Sequence, residues 1–209
     1  MPDGSANEAS LWQELQAAYD TYEFYSFQRD PPDEPFIEHW QAKGERSALI
    51  WLGMPQPPIL LFRLRERLLR WNVPVLPYLC DRLSTAFWHV SFGRYVEIGP
   101  GLFIAHGQVV IDGKVQIGRD CVLSPWVTIG LSGRRRDTFD GRGPTIGDRV
   151  FVGTGAKVLG PITIGDDVRI GANSVVIDDV PAGATVVGTP ARVVHETPPV
   201  SGAEWRGLS

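Results

Sequence analysis

The chain has 209 residues, of which 43% are hydrophobic and 21% are charged, and its formal net charge is −4. This composition is ordinary for a globular protein, and the small negative charge excludes a general attraction to nucleic acid or anionic membranes. No apolar run approaches the ~20 residues that a membrane-spanning helix needs, and the first residues lack the basic and apolar parts of a signal peptide. The two cysteines, Cys80 and Cys121, are isolated and form no metal-binding motif. We therefore expect a cytoplasmic protein.

The first part of the chain predicts helices. Residues 1–9 are polar and are expected to be disordered, and a helical N-terminal region is predicted over residues 10–91. Ser10 and Gln13 form a capping box at the start of its first helix. The proline-rich stretch 29–35 ends that helix, because proline fixes φ and lacks an amide donor. Residues 45–57 receive no assignment.

Two further helices are predicted before the repeats. Pro58 and Pro77 each occupy a plausible first helical position, and Leu61, Leu64, Leu68 and Trp71 form the predicted apolar face of the first of these two helices. Its polar side carries four arginines: Arg63, Arg65, Arg67 and Arg70. This polar side is either a solvated face or a surface for an anionic acceptor or a membrane lipid. Both helices lead directly into the repeats, so we expect them to pack on the first coil.

From Phe92 to residue 181 the sequence has a six-residue period. An aliphatic residue is followed by a small one, and a compact apolar residue comes four places after the aliphatic. A six-residue unit is one short strand plus a tight corner, so three units make a coil of about 18 residues. Successive coils pair as parallel strands ~4.8 Å apart. The register slips by one residue between Val110 and Ile117, and an insertion at 131–145 divides the repeats. An insertion of this length in a regular solenoid is usually functional.

These features carry a resemblance to a known family. The hexapeptides, the insertion and the Gly-Thr-Pro-Ala-Arg ending at 188–192 resemble the hexapeptide-repeat acyltransferases, and most closely their serine acetyltransferase-like branch. The resemblance implies a left-handed parallel β-helix, a homotrimer, and acetyl-CoA bound as cosubstrate between neighbouring prisms, with no metal. Handedness and trimer state rest on the resemblance alone, since the usual crossover rule favours the other hand.

The predicted fold class is therefore α+β, with an N-terminal α-helical region followed by a left-handed parallel β-helix of hexapeptide repeats. The β-helix domain is predicted over 92–194, with its loop insertion at 131–145, and a flexible tail over 195–209. The helical region looks shorter than in family members that form hexamers, so we favour a plain trimer.

His106 matches the catalytic histidine of the family. It is the one histidine within the repeats, and it lies at a corner position where a structural coil favours a small residue. Imidazole exchanges protons near neutral pH, so His106 can accept the proton of an acceptor hydroxyl as that hydroxyl attacks the thioester. The alternative is a surface histidine at a corner.

Three positions differ from the serine acetyltransferase pattern. Ser91 replaces an aspartate that precedes the catalytic histidine by 15 residues and orients it, and Ala105 replaces an aspartate that contacts the amino-acid substrate. The insertion has Arg142-Gly143-Pro144 in place of Arg-His-Pro. We predict that Arg142 and Ser91 contact substrate, and that a backbone carbonyl, Ser91 or Glu97 orients His106. The missing groups favour an acceptor other than serine.

The resemblance also places residues along acetyl-CoA. The predicted set is Gly130 and Leu131 at the pantetheine end, Thr154 and Ala172 along the arm, Arg169 toward the nucleotide, and Thr189 and Arg192 near the adenine. Small residues let a thin chain lie against backbone amides, and arginines bind phosphates. The run 134–136 of three arginines is either a solvated loop tip or a contact for CoA phosphate or an acidic acceptor.

The leading hypothesis is an acetyl-CoA-dependent O-acetyltransferase that transfers acetyl directly to a hydroxyl of a small-molecule or saccharide acceptor. In this hypothesis His106 is the general base, and a backbone amide near Gly130 stabilises the oxyanion. Two alternatives stay open: a serine O-acetyltransferase of cysteine biosynthesis, and a non-catalytic β-helix scaffold. A zinc site of three histidines is excluded, because the repeats contain one histidine.

Overall fold

The computed structural model describes residues 57–132 and 141–196. The predictions for residues 1–56, for the arginine run 134–136 and for the tail from 197 lie outside these residues. Two helices come first, α1 (Pro57–Arg70) and α2 (Leu76–Trp88). These are the two helices among the described residues, and neither is long and apolar enough to cross a membrane.

The apolar face predicted for α1 is correct at Leu68 and wrong at Leu64 and Trp71. Ile59, Phe62 and Leu68 are buried, whereas Leu64 is 45% exposed and Trp71 is 70% exposed. The helix is turned by about one position relative to the prediction, because Phe62 packs against the first coil, where its ring lies 4.8 Å from that of Phe92. The tertiary contact therefore decides which of two possible apolar faces is buried.

Fifteen strands follow and form three sheets that run along the solenoid. Sheet A contains β1 (Val90–Phe92), β4 (Val109–Ile111), β7 (Thr128–Gly130), β10 (Lys157–Leu159) and β13 (Val175–Val176). Sheet B contains β2 (Glu97–Ile98), β5 (Lys114–Ile117), β8 (Arg142–Ile146) and β11 (Thr163–Ile164). Sheet C contains β3 (Phe103–Ile104), β6 (Val122–Leu123), β9 (Phe151–Val152), β12 (Arg169–Ile170), β14 (Ala184–Gly188) and β15 (Ala191–Glu196). Neighbouring strands are parallel except β14 and β15, which form an antiparallel hairpin.

Successive strands along the chain pass from sheet A to sheet B to sheet C, so the three sheets enclose a narrow apolar interior. Ile104, Ile111, Leu123 and Ile129 are fully buried. Cys121 is also buried, as expected for a small inward residue, and burial raises the pKa of its thiol to about 12. The strand β8 begins at Arg142, within the predicted insertion 131–145.

The one-residue slip lies elsewhere than predicted. Ile111 is the Cα partner of both Phe92 and Ile129, and it is buried, whereas Val110 is 43% exposed. The first coil takes 19 residues, from Val90 to its partner Val109, and the next takes 18, from Val110 to Thr128. The extra residue therefore falls between Ile104 and Val109, and this is the corner that contains His106. The prediction counted Val110 as the inward residue because Val and Ile are equally apolar.

The first coil is closed by arginines of α1. The amides of one coil donate to carbonyls of the next, as Gly93 does to Ile111 at 2.7 Å, so the carbonyls of the first coil have no coil to bond. Arg63 donates to the carbonyls of Ile98 at 2.8 Å and Gly99 at 2.7 Å. Arg65, which is 3% exposed, donates to the carbonyl of Gly93 at 3.1 Å.

Arg65 also forms an ion pair with Asp81 of α2, with 3.3 Å between the two side chains. Neither interpretation of the polar side of α1 therefore holds for Arg63 and Arg65. They satisfy the open end of the β-helix, which the sequence pattern of α1 alone does not indicate.

Candidate active site

The candidate site lies along one edge of the prism, which we call the C–A edge. It consists of the corners that lead from sheet C to sheet A, at residues 105–108, 124–126, 153–155 and 171–173. Backbone hydrogen bonds keep the corners in register: Trp126 donates to Gln108 at 2.9 Å, Gly155 to Pro125 at 2.9 Å, and Asn173 to Thr154 at 2.8 Å.

The first corner of the C–A edge differs from the other three. Five residues lie between Ile104 and Val110, whereas four lie between their partners Leu123 and Thr128. The φ angles of this corner are 61° at His106, 79° at Gly107 and 56° at Gln108. The lower corners each contain one residue at positive φ: Trp126, Gly155 and Asn173. Left-handed backbone costs roughly 1–2 kcal/mol for each residue with a Cβ. Strain of this kind persists chiefly at functional sites.

The C-terminal end of α2 packs directly on this corner. The amide of Gln108 donates to the carbonyl of Trp88 at 3.1 Å. A Cβ on Gly107 would lie 2.2 Å from the same carbonyl oxygen, so no side chain fits there. The residues that follow His106 are therefore held directly against the end of α2.

His106 is exposed and Ser91 is half-buried. Ser91 lies on the outer face of β1, paired with Val110, in the sheet that begins at this corner. Among the described residues, the side chains of Ser91 and His106 are not hydrogen-bonded to each other. Glu97 lies in sheet B, which does not adjoin the C–A edge, and it accepts a hydrogen bond from Gln116 at 3.1 Å. The suggestion that Glu97 orients His106 is therefore wrong within one chain.

Three of the predicted cofactor residues lie lower on the C–A edge. Thr154 and Ala172 are exposed at the third and fourth corners. Thr189, in the turn between β14 and β15, donates from its hydroxyl to the carbonyl of Asn173 at 3.3 Å. The structure thus aligns these three residues below His106, on one side of the prism.

Three other predicted residues lie on a different edge. Gly130 ends β7, Leu131 follows it, and Arg142 begins β8, so all three mark the passage from sheet A to sheet B, which we call the A–B edge. A Cβ on Gly113 would lie 2.8 Å from Leu131, which shows how closely this residue packs on the edge. The three residues of β7 separate the two edges by ~10 Å. One chain therefore does not bring Arg142 to His106.

The two predicted phosphate-binding arginines lie near the far end of the solenoid. Arg169 is exposed on β12. Arg192 is exposed on β15, where its guanidinium lies 3.8 Å from the carboxylate of Asp178. Among residues 57–132 and 141–196, no three potential ligands form a group that could hold a metal ion.

Trp126 is a further residue of the C–A edge that the sequence analysis did not include among the site residues. It occupies the second corner of the C–A edge, and its side chain is 61% exposed. The pattern gave a usable signal, because a bulky aromatic residue stands at a corner where the repeat favours glycine, asparagine or another small residue.

Comparison with known proteins agrees with this geometry at the level of class. The model of the "Bacterial transferase hexapeptide (six repeats)" family matches residues 143–178. Together with the parallel β-helix and the histidine corner, this match defines a hexapeptide-repeat acyltransferase.

The relatives define the family within that class. The serine acetyltransferase of Helicobacter pylori strain J99 is 41% identical over 173 residues, covering 81% of this chain and 95% of the relative. That of Synechococcus elongatus is 41% identical over 140 residues, covering 66% of this chain and 56% of the relative, so the chain spans about half of that protein. The chain belongs to the serine acetyltransferase family.

Solved structures agree with this family assignment. Serine acetyltransferase from Neisseria gonorrhoeae in complex with serine has a TM-score of 0.65 and 29% identity, covering 89% of this chain and 71% of that one. Serine acetyltransferase from Brucella abortus in complex with coenzyme A has a TM-score of 0.66 and 26% identity, covering 90% and 70%. The predicted α+β class with a left-handed β-helix, the family resemblance and the acyltransferase class are confirmed.

The predicted acceptor is corrected by the same findings. The leading hypothesis favoured a saccharide or another hydroxyl over serine, but relatives at 41% identity are serine acetyltransferases. The prediction relied on three missing side chains at Ser91, Ala105 and Gly143. These positions lie on β1, on the C–A edge and on β8, so they are three single residues from separate parts of the chain. Their loss was therefore too narrow a basis for excluding serine.

Proposed function

We propose that the protein is a serine O-acetyltransferase that transfers the acetyl group of acetyl-CoA to the hydroxyl of L-serine. The observation that carries the proposal is the position of His106. It lies in the first corner of the C–A edge, and the small exposed residues Thr154 and Ala172 lie on lower corners of the same edge. The family membership of the chain supplies the acceptor.

The chemistry follows from the position of His106. Its imidazole accepts the proton of the serine hydroxyl while the hydroxyl oxygen attacks the thioester carbonyl. When the tetrahedral intermediate breaks its C–S bond, the imidazolium returns the proton to the departing CoA thiolate, leaving O-acetyl-L-serine. General-base catalysis of this kind is worth about 10²–10⁴ in rate.

The cosubstrate fits along the C–A edge. The pantetheine arm of acetyl-CoA lies over the small side chains of Thr154 and Ala172, and its thioester reaches the first corner. Arg169, Thr189 and Arg192, near the far end, bind the phosphates and the adenine. The structure of the Brucella abortus relative with coenzyme A supports this cosubstrate.

The remaining groups come from a second copy of the chain. In a homotrimer, which we propose as the assembly, the A–B edge of one copy faces the C–A edge of the next, because closed symmetry repeats one heterologous contact around the axis. The amide of Gly130 or Leu131 then stabilises the oxyanion, and the guanidinium of Arg142 binds the serine carboxylate. Ser91 completes the acceptor pocket. Location in the cytoplasm is part of the same proposal.

The test is release of CoA thiol with L-serine as the sole acceptor. L-Alanine is the matched control, since it differs from serine by the hydroxyl alone. We expect thiol release with L-serine, none above background with L-alanine, and O-acetyl-L-serine by mass spectrometry. Thiol release that is the same with both amino acids would contradict the proposal.

A further inference from the structure

Trp126 is a bulky residue in an unfavourable backbone conformation. Its φ is 67°, a region in which a large side chain is an outlier. The equivalent residues of the next two corners are Gly155 and Asn173, which are types that adopt this conformation readily. Residues with side chains also adopt positive φ at other corners, as Arg149 does at 57°, so the distinctive feature of Trp126 is its large apolar side chain.

The backbone of Trp126 is fixed from both sides. Its amide donates to Gln108, two residues after His106, at 2.9 Å. Its carbonyl accepts a hydrogen bond of 2.9 Å from Nζ of Lys157, which also donates to the carbonyl of Gly155 at 3.0 Å. The indole is nevertheless 61% exposed. A firmly held backbone thus presents a large apolar group to the outside of the C–A edge.

The size of the side chains changes along this edge at Trp126. Above it is the corner of His106, one coil or ~4.8 Å away. Below it, Gly155 adds no side chain, and Thr154 and Ala172 add only small ones. An indole is longer than one coil spacing, so it is large enough to separate the lower edge from the first corner. A ligand that runs along the small residues reaches position 126 immediately before it reaches His106.

We propose that Trp126 is a positioning residue for the acyl donor, with its indole packing against the thioester end of the pantetheine arm. The inference rests on the proposed function, which places acetyl-CoA along this edge. Aromatic side chains supply a large apolar contact area, so the indole holds the thioester at His106 and excludes water from it. The indole takes no part in proton transfer.

The test compares Trp126→Asn with Trp71→Asn. Asparagine tolerates positive φ, so the first change removes the indole and keeps the turn. Trp71 is also an exposed tryptophan, but it lies beyond the N-terminal end of α2, whose 13 residues place it ~20 Å from the first corner. Binding of CoA is measured by calorimetry, steady-state kinetics give KM for acetyl-CoA and for L-serine, and sedimentation gives the oligomeric state.

We expect Trp126→Asn to weaken CoA binding and raise KM for acetyl-CoA by about tenfold, the usual effect of removing an anchoring aromatic contact. KM for L-serine and the oligomeric state stay unchanged, Trp126→Phe recovers most of the CoA affinity, and Trp71→Asn behaves as the parent protein. CoA binding should also change the tryptophan emission of the parent protein and of Trp71→Asn, but not that of Trp126→Asn.

Two results would overturn the inference. Normal CoA affinity in Trp126→Asn would remove the contact, and dissociation of the assembly would make Trp126 a subunit-interface residue instead. Failure of the proposed acceptor is distinguishable from both, since it would abolish L-serine turnover in the parent protein and leave its CoA binding dependent on Trp126.

Discussion

The C–A edge and the A–B edge of the prism differ in how the repeat is broken. On the C–A edge the corners stack in register, and the irregularity is one extra residue at the corner of His106. On the A–B edge β7 ends at Gly130 and β8 begins at Arg142, and the sequence insertion lies between them. Each edge holds part of the predicted site and lacks the other part. The regular coils hold the site residues in position, and both breaks in the repeat coincide with residues expected to take part in the reaction.

The first prediction concerns the A–B edge. Arg142→Ala should lower kcat/KM for L-serine by about 10²-fold, since truncating one member of a charged pair costs 2–5 kcal/mol or more. KM for acetyl-CoA should change little. Kinetics with each substrate varied in turn measure the two effects separately.

This variant also tests whether the two edges belong to different copies. Co-expression of Arg142→Ala and His106→Asn chains, each with its own affinity tag, yields mixed assemblies. We expect these assemblies to recover L-serine turnover, because some sites then combine an intact A–B edge with an intact C–A edge. Mixed assemblies as inactive as the separate variants would mean that each site is built within one chain.

The second prediction separates the first corner from the corners below it. Gly107→Ala should lower the free energy of unfolding by about 2–4 kcal/mol, since it adds a clash with the carbonyl of Trp88 to the strain of positive φ. Gly155→Ala, at the third corner, should cost only about 1–2 kcal/mol. Its Cβ meets the side-chain oxygen of Asn173, which can move. Urea unfolding compares the two, and equal losses would show that α2 does not constrain the first corner.

The third prediction concerns the open end of the first coil. Arg65→Met should destabilise the protein by about 2 kcal/mol, because it leaves the Gly93 carbonyl unsatisfied and Asp81 without its partner. Arg70→Met, an exposed change on the same helix, should alter stability by less than about 0.5 kcal/mol. Thermal unfolding of both variants is the measurement. An Arg65→Met protein as stable as Arg70→Met would argue against the capping role.

The smallest expected effect concerns the reactivity of the two cysteine thiols. Burial raises the pKa of the Cys121 thiol to about 12 and also raises that of Cys80. At pH 8, below both values, the thiols stay protonated, and the thiolate is the reactive form. A thiol reagent should therefore label neither cysteine in the native protein and both after unfolding. Rapid labelling of the native protein would show that the first coils open readily.

Much of this fold can be predicted from the sequence because the six-residue period imposes it. The inward positions, the parallel pairing and the histidine at a corner all follow from the pattern. The position of the slip does not, because Val110 and Ile111 satisfy the pattern equally and only the pairing of Ile111 with Phe92 and Ile129 decides between them.

The site is less predictable than the fold. The roles of Arg63 and Arg65 depend on how α1 lies over the first coil, and local spacing does not contain that information. The acceptor was wrongly predicted because three single residues, Ser91, Ala105 and Gly143, were given more weight than the similarity of the rest of the chain to serine acetyltransferases. Trp126 was not predicted as a site residue, because hydrophobic residues inside a repeat are normally assigned to the core.

The most direct test of the account compares two histidines with the same backbone conformation. His106 and His89 both have positive φ, 61° and 55°, and both are exposed. His106→Asn should lower kcat for acetyl transfer to L-serine by about 10²–10⁴-fold, with CoA binding retained, whereas His89→Asn should leave kcat within about twofold of the parent protein, as expected for a surface change. An asparagine at position 106 that turns over L-serine at the parent rate would contradict the account.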